Sequence, residues 1–319
     1  MSKTTKIHGV NQYHFAAILS LFLIFSLTGG CSTYSSMERK TKRMVRDLRA
    51  PDSDLKKRMA ITLFENKTAF SDTEMQQRFF IDLTEKIMSS CPDVLLEKPG
   101  DSGYPDFLVT LPRTASGRID NYDLATSGRR SGLNSIVTGA LNDARIDKRK
   151  KGFWWWKDIH HYVQFQIVTE VYDTETGAKL LDESFMREME IDESDLESTS
   201  ADDEIKAYIK DDIFKTIAID MGEKICDAVV LDPWKGYITA IVDDKIILSS
   251  GERVGIQPGD IFEVYSSTDT FQGMDGHRFF IPGLKTGEIK ITAVHPDTAE
   301  AVRISGQDIR EGFTVRPKD

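Results

Sequence analysis

Tyr162-Val-Gln-Phe-Gln-Ile-Val-Thr-Glu-Val-Tyr172, Asp173-Thr-Glu-Thr-Gly177 and Lys179-Leu-Leu-Asp-Glu-Ser-Phe-Met-Arg-Glu-Met-Glu-Ile191 form the stretch on which the fold turns. Val163, Phe165, Ile167 and Val171 fall on one side of an extended chain, the period expected of a half-buried strand. The segment Asp173–Gly177 combines short polar residues with glycine and predicts a tight turn. Lys179–Ile191 then returns as the antiparallel partner.

Upstream, Met59–Phe64 predicts a short strand, followed by the loop Glu65-Asn66-Lys67-Thr68. Ser71 with Glu74 three residues on has the form of a capping box, in which each side chain satisfies an orphan amide. Met75, Phe79, Leu83 and Ile87 recur every four residues, so one helical face is apolar, and Pro92 ends it. Val94–Glu97 and Asp106–Leu111 read as two further strands. A helix is expected over Tyr122–Arg130, closed by Gly132 where a left-handed residue is needed, then a strand over Ser135–Leu141. Downstream, the acidic stretch Glu188–Glu204 crosses solvent. Asp202, Asp203 and Glu204 lie where the next helix is expected to begin, which suits its dipole. That helix carries Ile205, Ile209, Ile213, Ile217, Met221 and Ile225 as one apolar seam and stops at Pro233.

The order of elements predicts an α/β sheet with helices against one or both faces. From Trp234 the pattern changes to short strands separated by glycine: Tyr237–Val242, Lys245–Leu248, Ile261–Tyr265, Gly287–Val294, Thr298–Ile304 and Phe313–Arg316. Gln257-Pro-Gly-Asp260 suits a type II turn. Short strands at this spacing predict a small closed barrel. The boundary falls near Asp232-Pro233.

The amino terminus carries an address. Lys3, Lys6 and His8 precede an apolar run from Phe15 to Leu27, and Thr28-Gly29-Gly30 leads into Cys31. The run is short for a membrane span and fits the apolar region of an export signal. Leu27-Thr-Gly-Gly-Cys31 resembles a bacterial lipobox, with leucine four places before the cysteine instead of three. That resemblance implies cleavage before Cys31 and its lipidation; an ordinary cleaved signal and an uncleaved anchor are the alternatives. The domain reading is therefore signal 1–30, lipidated tether 31–56, α/β domain 57–232 and barrel 233–319. The tether turns basic at Arg39, Lys40, Lys42, Arg43, Arg46 and Arg49, which suits either a solvated linker or a helix against anionic headgroups.

A composition 40% apolar and 29% charged is that of an ordinary folded chain. A formal charge of −10 makes general nucleic-acid binding a poor fit. No apolar run after Cys31 approaches membrane-spanning length, so attachment would be by lipid. Beyond Cys31 the cysteines are Cys91 and Cys226, which end the first and last long helices. They are candidates to pair if those helices lie parallel and adjacent; two buried thiols are the alternative.

Several motifs carry a family resemblance. Met59-Ala-Ile-Thr-Leu-Phe-Glu-Asn-Lys-Thr68 resembles the opening strand and Asn-bearing loop of the CsgG-like family, which includes the cell-wall-synthase activator LpoB. Ser131-Gly-Leu-Asn-Ser-Ile-Val-Thr-Gly139 resembles that family's helix-to-strand step, and Val171-Tyr-Asp-Thr-Glu-Thr-Gly177 its hairpin. Gly251-Glu-Arg-Val-Gly-Ile-Gln-Pro-Gly-Asp-Ile-Phe-Glu-Val-Tyr265 resembles the carboxy-terminal barrel of the flagellar protein FlgT. The resemblance implies an anticodon-binding-domain-like α/β sandwich, as in CsgG and the TolB amino-terminal domain, followed by an SH3-like barrel. It implies an envelope assembly or regulatory protein without catalysis, on the periplasmic face of the outer membrane. Ser32 after the lipidated position, where aspartate is absent, resembles outer-membrane sorting. Activation of a cell-wall synthase is the alternative role, and a secretion pore or a hydrolase fits less well. A homo-oligomer remains open.

No reactive constellation stands out. His160 and His161 are adjacent and point to opposite faces of a strand, so they cannot chelate one metal together. There is no His-Glu-x-x-His, no phosphate-cradling glycine loop and no Gly-x-Ser-x-Gly elbow. Neither catalytic residues, metal ligands nor a cofactor is expected. Asp173, Glu175, Asp243 and Asp244 sit in expected turns, where carboxylates serve local hydrogen bonds. The unusual feature is Lys148-Arg-Lys-Lys-Gly-Phe-Trp-Trp-Trp-Lys157, expected as a loop between strands. Three successive tryptophans cannot all face one core from an extended segment. Exposed aromatics beside cations typify binding hot spots and membrane-interface belts. Lys150, Lys151, Trp154, Trp155 and Trp156 are therefore candidates for contact with an envelope partner or lipid; packing of two tryptophans on a neighbouring helix is the alternative. The segment lacks the run of about ten alternating residues that a membrane strand needs.

Overall fold

In the computed structural model, residues 54–69, 72–153, 155–192, 196–198, 203–205 and 207–318 are described. Cys31, Ser71 and the basic tether lie outside them. Residues 52–319 pack as one compact unit.

Strand β1 (Lys57–Ile61) is followed by the short β2 (Glu65–Asn66) and helix α1 (Thr73–Ser90). The α1 cap is Asp72, whose side chain accepts from the Met75 amide at 3.0 Å. Met75, Phe79, Leu83 and Ile87 are buried as their spacing requires. After β3 (Val94–Glu97), the strand expected over Asp106–Leu111 is instead a single 3-10 turn, Asp106–Leu108. Pro105 sits extended before it and its carbonyl accepts from the Leu108 amide, which turns Leu108 inward.

Helix α2 (Asn121–Arg130) is capped by Asp120 and closed at Gly132, whose φ is +73°. A Cβ there would lie 2.0 Å from the Ser249 carbonyl, so glycine is required twice over, by backbone and by space. Strand β4 (Ser135–Phe153) runs far beyond the expected end at Leu141, through a bulge between Leu141 and Asp143. Strand β5 (Trp156–Asp173) returns beside it, and β6 (Lys179–Ile191) pairs antiparallel with β5. The short β7 (Leu196–Ser198) and β8 (Asp203–Ile205) pair with each other. Helix α3 (Ala207–Val230) follows, so Asp203, Glu204 and Ile205 belong to β8 and not to the helix.

The sheet order is β3-β1-β4-β5-β6, with β2 on β4; β1 is parallel to β3 and β4, and β4, β5 and β6 alternate in direction. Helices α1 and α3 cover one face, where Met59, Ile61, Val137, Val163, Phe165, Ile167 and Val171 meet Phe79, Leu83, Phe214, Ile217 and Met221. Helix α2 covers part of the other, over Ala60, Ile136 and Tyr172. Cys91, the α1 C-cap, and Cys226 on α3 form a disulfide with Cα atoms 5.7 Å apart, which ties the two helices together at their carboxyl ends.

The remaining strands are β9 (Gly236–Val242), β10 (Lys245–Leu248), β11 (Ile261–Tyr265), β12 (Thr270–Gln272), β13 (Arg278–Phe280), β14 (Lys285–Val294), β15 (Ala299–Gly306) and β16 (Thr314–Pro317). Six of them close into a barrel in the order β10-β15-β14-β11-β16-β9 around Ile238, Leu248, Phe262, Val264, Ile289 and Val315. The type II turn falls as expected, with Gly259 at φ +100°. Asp243 and Asp244 both take positive φ between β9 and β10, the backbone of a tight hairpin turn.

Candidate functional site

The β4–β5 hairpin is the feature that the rest of the fold positions. Its pairing continues to Phe153 opposite Trp156, while β6 ends at Ile191 opposite His161. Residues 156–160 and their β4 partners therefore continue as a two-stranded arm past β6. At about 3.3 Å per residue, with the turn included, the arm extends roughly 20 Å. The segment Lys148–Lys151, expected as loop, is strand.

Its charged residues explain why a sequence with no apolar alternation holds this form. Arg149 reaches across to Glu188 on β6, with its two terminal guanidinium nitrogens 2.8 and 2.5 Å from the carboxylate oxygens. Lys151 donates to Glu190 at 2.9 Å. The Tyr162 hydroxyl donates to the same carboxylate at 2.5 Å, and His160 Nδ1 lies 2.5 Å from its other oxygen. Arg149 and Lys151 also lie over the Tyr162 ring, at 4.6 and 4.8 Å from its centroid. With hydrogen bonds from Tyr162, Lys151 and His160, the Glu190 carboxyl titrates at about 2. One carboxylate thus gathers donors from both strands of the arm and fixes its base. Further in, Gln164 links Arg145 to Asp143, and Gln166 donates to Ser184 at 2.7 Å.

The tip presents a different chemistry. Trp155 sits in the turn and is 72% exposed; Ile159 is 59% exposed. Lys148 and Lys150 are exposed, two residues apart on the strand and so on one face, opposite to that of Arg149 and Lys151. Trp154 lies outside the described residues, and Trp156 opens β5 opposite Phe153. Of the proposed contact residues, Lys150 and Trp155 fall at the tip, whereas Lys151 is committed to Glu190. Glu188 and Glu190 were not singled out from the sequence. Their signal was present: two acids with period two on β6, facing two cations with the same period.

A second polar cluster lies where the sheet meets the barrel. Lys235 is 1% exposed and lies 2.6 Å from Asp173, 2.8 Å from Asp232 and 3.5 Å from Glu175. Burial alone would lower the Lys235 pKa, and the Asp173 carboxylate reverses this and holds the ammonium charged. Arg129, also buried, donates to the carbonyls of Thr174, Ser267 and Glu175 and lies 3.7 Å over the Phe280 ring. Arg316 donates to Glu175 at 2.8 Å. Apart from Arg316 Nε, which is buried without a hydrogen-bond partner, these groups pair with one another and hold the β5–β6 turn against the barrel. A cleft of about 240 Å³ beside them is lined by Tyr122, Arg129, Arg130, Tyr237, Phe280 and Glu311. Among the described residues, no three histidine, cysteine or acidic side chains group as a metal site, and no helix is long and apolar enough to cross a membrane.

No protein-family model matches the chain, and no curated protein matches it. Some solved structures are similar to part of the chain. The hypothetical protein CT253 from Chlamydia trachomatis is 14% identical, with 54% of this chain and 98% of that one covered at a TM-score of 0.31. The PelC dodecamer from Paraburkholderia phytofirmans is 12% identical over 56% and 90%, at 0.30. Lipoprotein GNA1162 from Neisseria meningitidis is 6% identical over 52% and 97%, at 0.30. Scores of this size assign no function to the chain.

Proposed function

We propose that this chain is a lipid-tethered protein of the bacterial envelope that works by docking and not by catalysis, and that the tip of the β4–β5 arm is its contact surface. In this reading Cys31 supplies the anchor on the periplasmic face of the outer membrane, residues 32–56 the tether and the α/β sheet with its barrel a stiff platform. One observation carries the proposal: an arm braced at its base by Glu188 and Glu190 ends in an exposed Trp155. A rigid element that displays aromatic and cationic side chains loses little conformational entropy on binding. The arm and the strand that leads into it put charged residues on both faces, Asp147, Arg149 and Lys151 on one and Lys148 and Lys150 on the other. That pattern favours contact by the tip over passage through lipid.

The test is capture from cells. Trp154, Trp155 and Trp156 are replaced together by serine in the full chain, and partners are crosslinked and counted. The reading expects at least a tenfold loss of captured partner with an unchanged melting temperature. Equal capture by both forms would overturn it.

A further inference from the structure

Strand β6 is an outer strand, and among the described residues nothing pairs with its far side. It is 13 residues long, contains no proline, and its one register shift against β5 lies at its start, by Val171 and Tyr172. Long open edges usually carry a proline, a bulge or an inward charge that blocks pairing with another chain. From Leu181 to Ile191 this edge has no proline and no bulge, and its two inward charges, Glu183 and Arg187, are each already paired with α3.

Its side chains are self-complementary in one register. Suppose β6 meets a copy of itself, antiparallel, about a two-fold axis at Phe185. On the helix-covered face Leu181 then faces Met189, Glu183 faces Arg187, and Phe185 faces itself. Helix α3 extends the match: Arg187 pairs with Asp220 and Glu183 with Lys224 in the same chain. Across the axis Arg187 with Asp220 meets Glu183 with Lys224, so each charge finds its opposite both along and across the interface. Other registers lose this. Centring on Glu183 or Arg187 opposes like charges, and centring on Ser184 or Met186 sets Glu183 and Arg187 against apolar residues. On the open face Asp182 would face Glu188, and each already has a cation of its own chain, Lys179 and Arg149. Ser184 would face Met186, which is 54% exposed.

We propose that β6 pairs antiparallel with β6 of a second copy of this chain, in register about Phe185, to form one continuous sheet. The two arms leave that sheet at opposite ends. This surface is separate from the arm tip, and the docking role neither requires nor follows from it.

Cysteine crosslinking of the full chain in membranes tests it. Phe185→Cys places a thiol on the axis, and mild oxidation should yield a covalent dimer on a non-reducing gel. Lys179→Cys, far from the axis, should not. Adding Arg187→Glu to Phe185→Cys should reduce the dimer at least fivefold, and adding Glu183→Arg with Asp220→Lys and Lys224→Glu, which reverses every charge of the seam together, should restore it. Should Phe185→Cys fail to fold, Ser184→Cys and Met186→Cys chains expressed together serve instead, because those exposed positions face one another. Absence of dimer in folded variants, equal dimer from Lys179→Cys, or adducts to a different protein at position 185 would overturn the proposal.

Discussion

Lys235 Nζ lies 2.6 Å from Asp173 Oδ1, and the two side chains are 1% and 5% exposed. They join Lys235, the residue before β9, to Asp173, the last residue of β5, so the pair fixes where the barrel sits on the sheet. Removing one partner of a buried pair leaves the other charge unpaired and costs about 3–5 kcal/mol. Lys235→Met should lower unfolding stability in urea at neutral pH by that order. A loss below about 1 kcal/mol would show that the pair is not buried as described.

The disulfide closes a sequence separation of 135 residues. A loop this long corresponds to about 4–5 kcal/mol in the chain-entropy account of crosslinks. Reduction, or replacement of Cys91 and Cys226 by alanine, should lower stability by at least 2 kcal/mol in denaturant unfolding. Unchanged midpoints in the presence and absence of reductant would contradict the pairing.

The Glu190 carboxyl, which titrates at about 2 when folded, gives the arm a pH dependence. A carboxyl whose folded value is depressed contributes stability that is complete above its unfolded value of about 4.3 and is lost as pH falls toward the folded value. Amide exchange over residues 147–160 should therefore stay slow from pH 7 to about 5 and quicken, relative to its intrinsic rate, between about 4 and 2. Glu190→Gln should exchange faster at neutral pH and lose that acid transition. An identical pH profile in the variant would separate the arm's rigidity from this carboxylate.

Gly132 tests the packing of α2 on the barrel. Its φ of +73° and the Ser249 carbonyl leave no place for a side chain. Gly132→Ala should destabilise the protein by more than about 1 kcal/mol, the strain of a positive φ with a steric clash added. Thermal melting checks this directly.

What the sequence made legible follows from where the information resides. The helices announced themselves through local periodicity, and α1, α2 and most of α3 lie within a few residues of expectation. The six barrel strands did too, because glycine and proline punctuate them. Lys148–Lys151 was misread as loop because strand formation there depends on Glu188 and Glu190, which lie far along the chain. Charged residues carry little strand preference of their own. Asp106–Leu108 was misread for the opposite reason: its apolar residues suggested a strand, while Pro105 and the return hydrogen bond made a turn. The tryptophan run was visible as composition alone, and only the pairing of β4 with β5 shows that Trp155 stands at the end of an arm. The cluster of Lys235, Asp173, Arg129 and Glu175 joins segments with no local signature at all.

Docking through the arm tip is tested most directly by a photo-activated crosslinking residue in place of Trp155 in living cells. Val109, 76% exposed but remote from the arm in sequence and element, serves as the control position. The account predicts a discrete adduct from position 155 that is absent from position 109. No adduct at 155, or the same adducts from both positions, would contradict it.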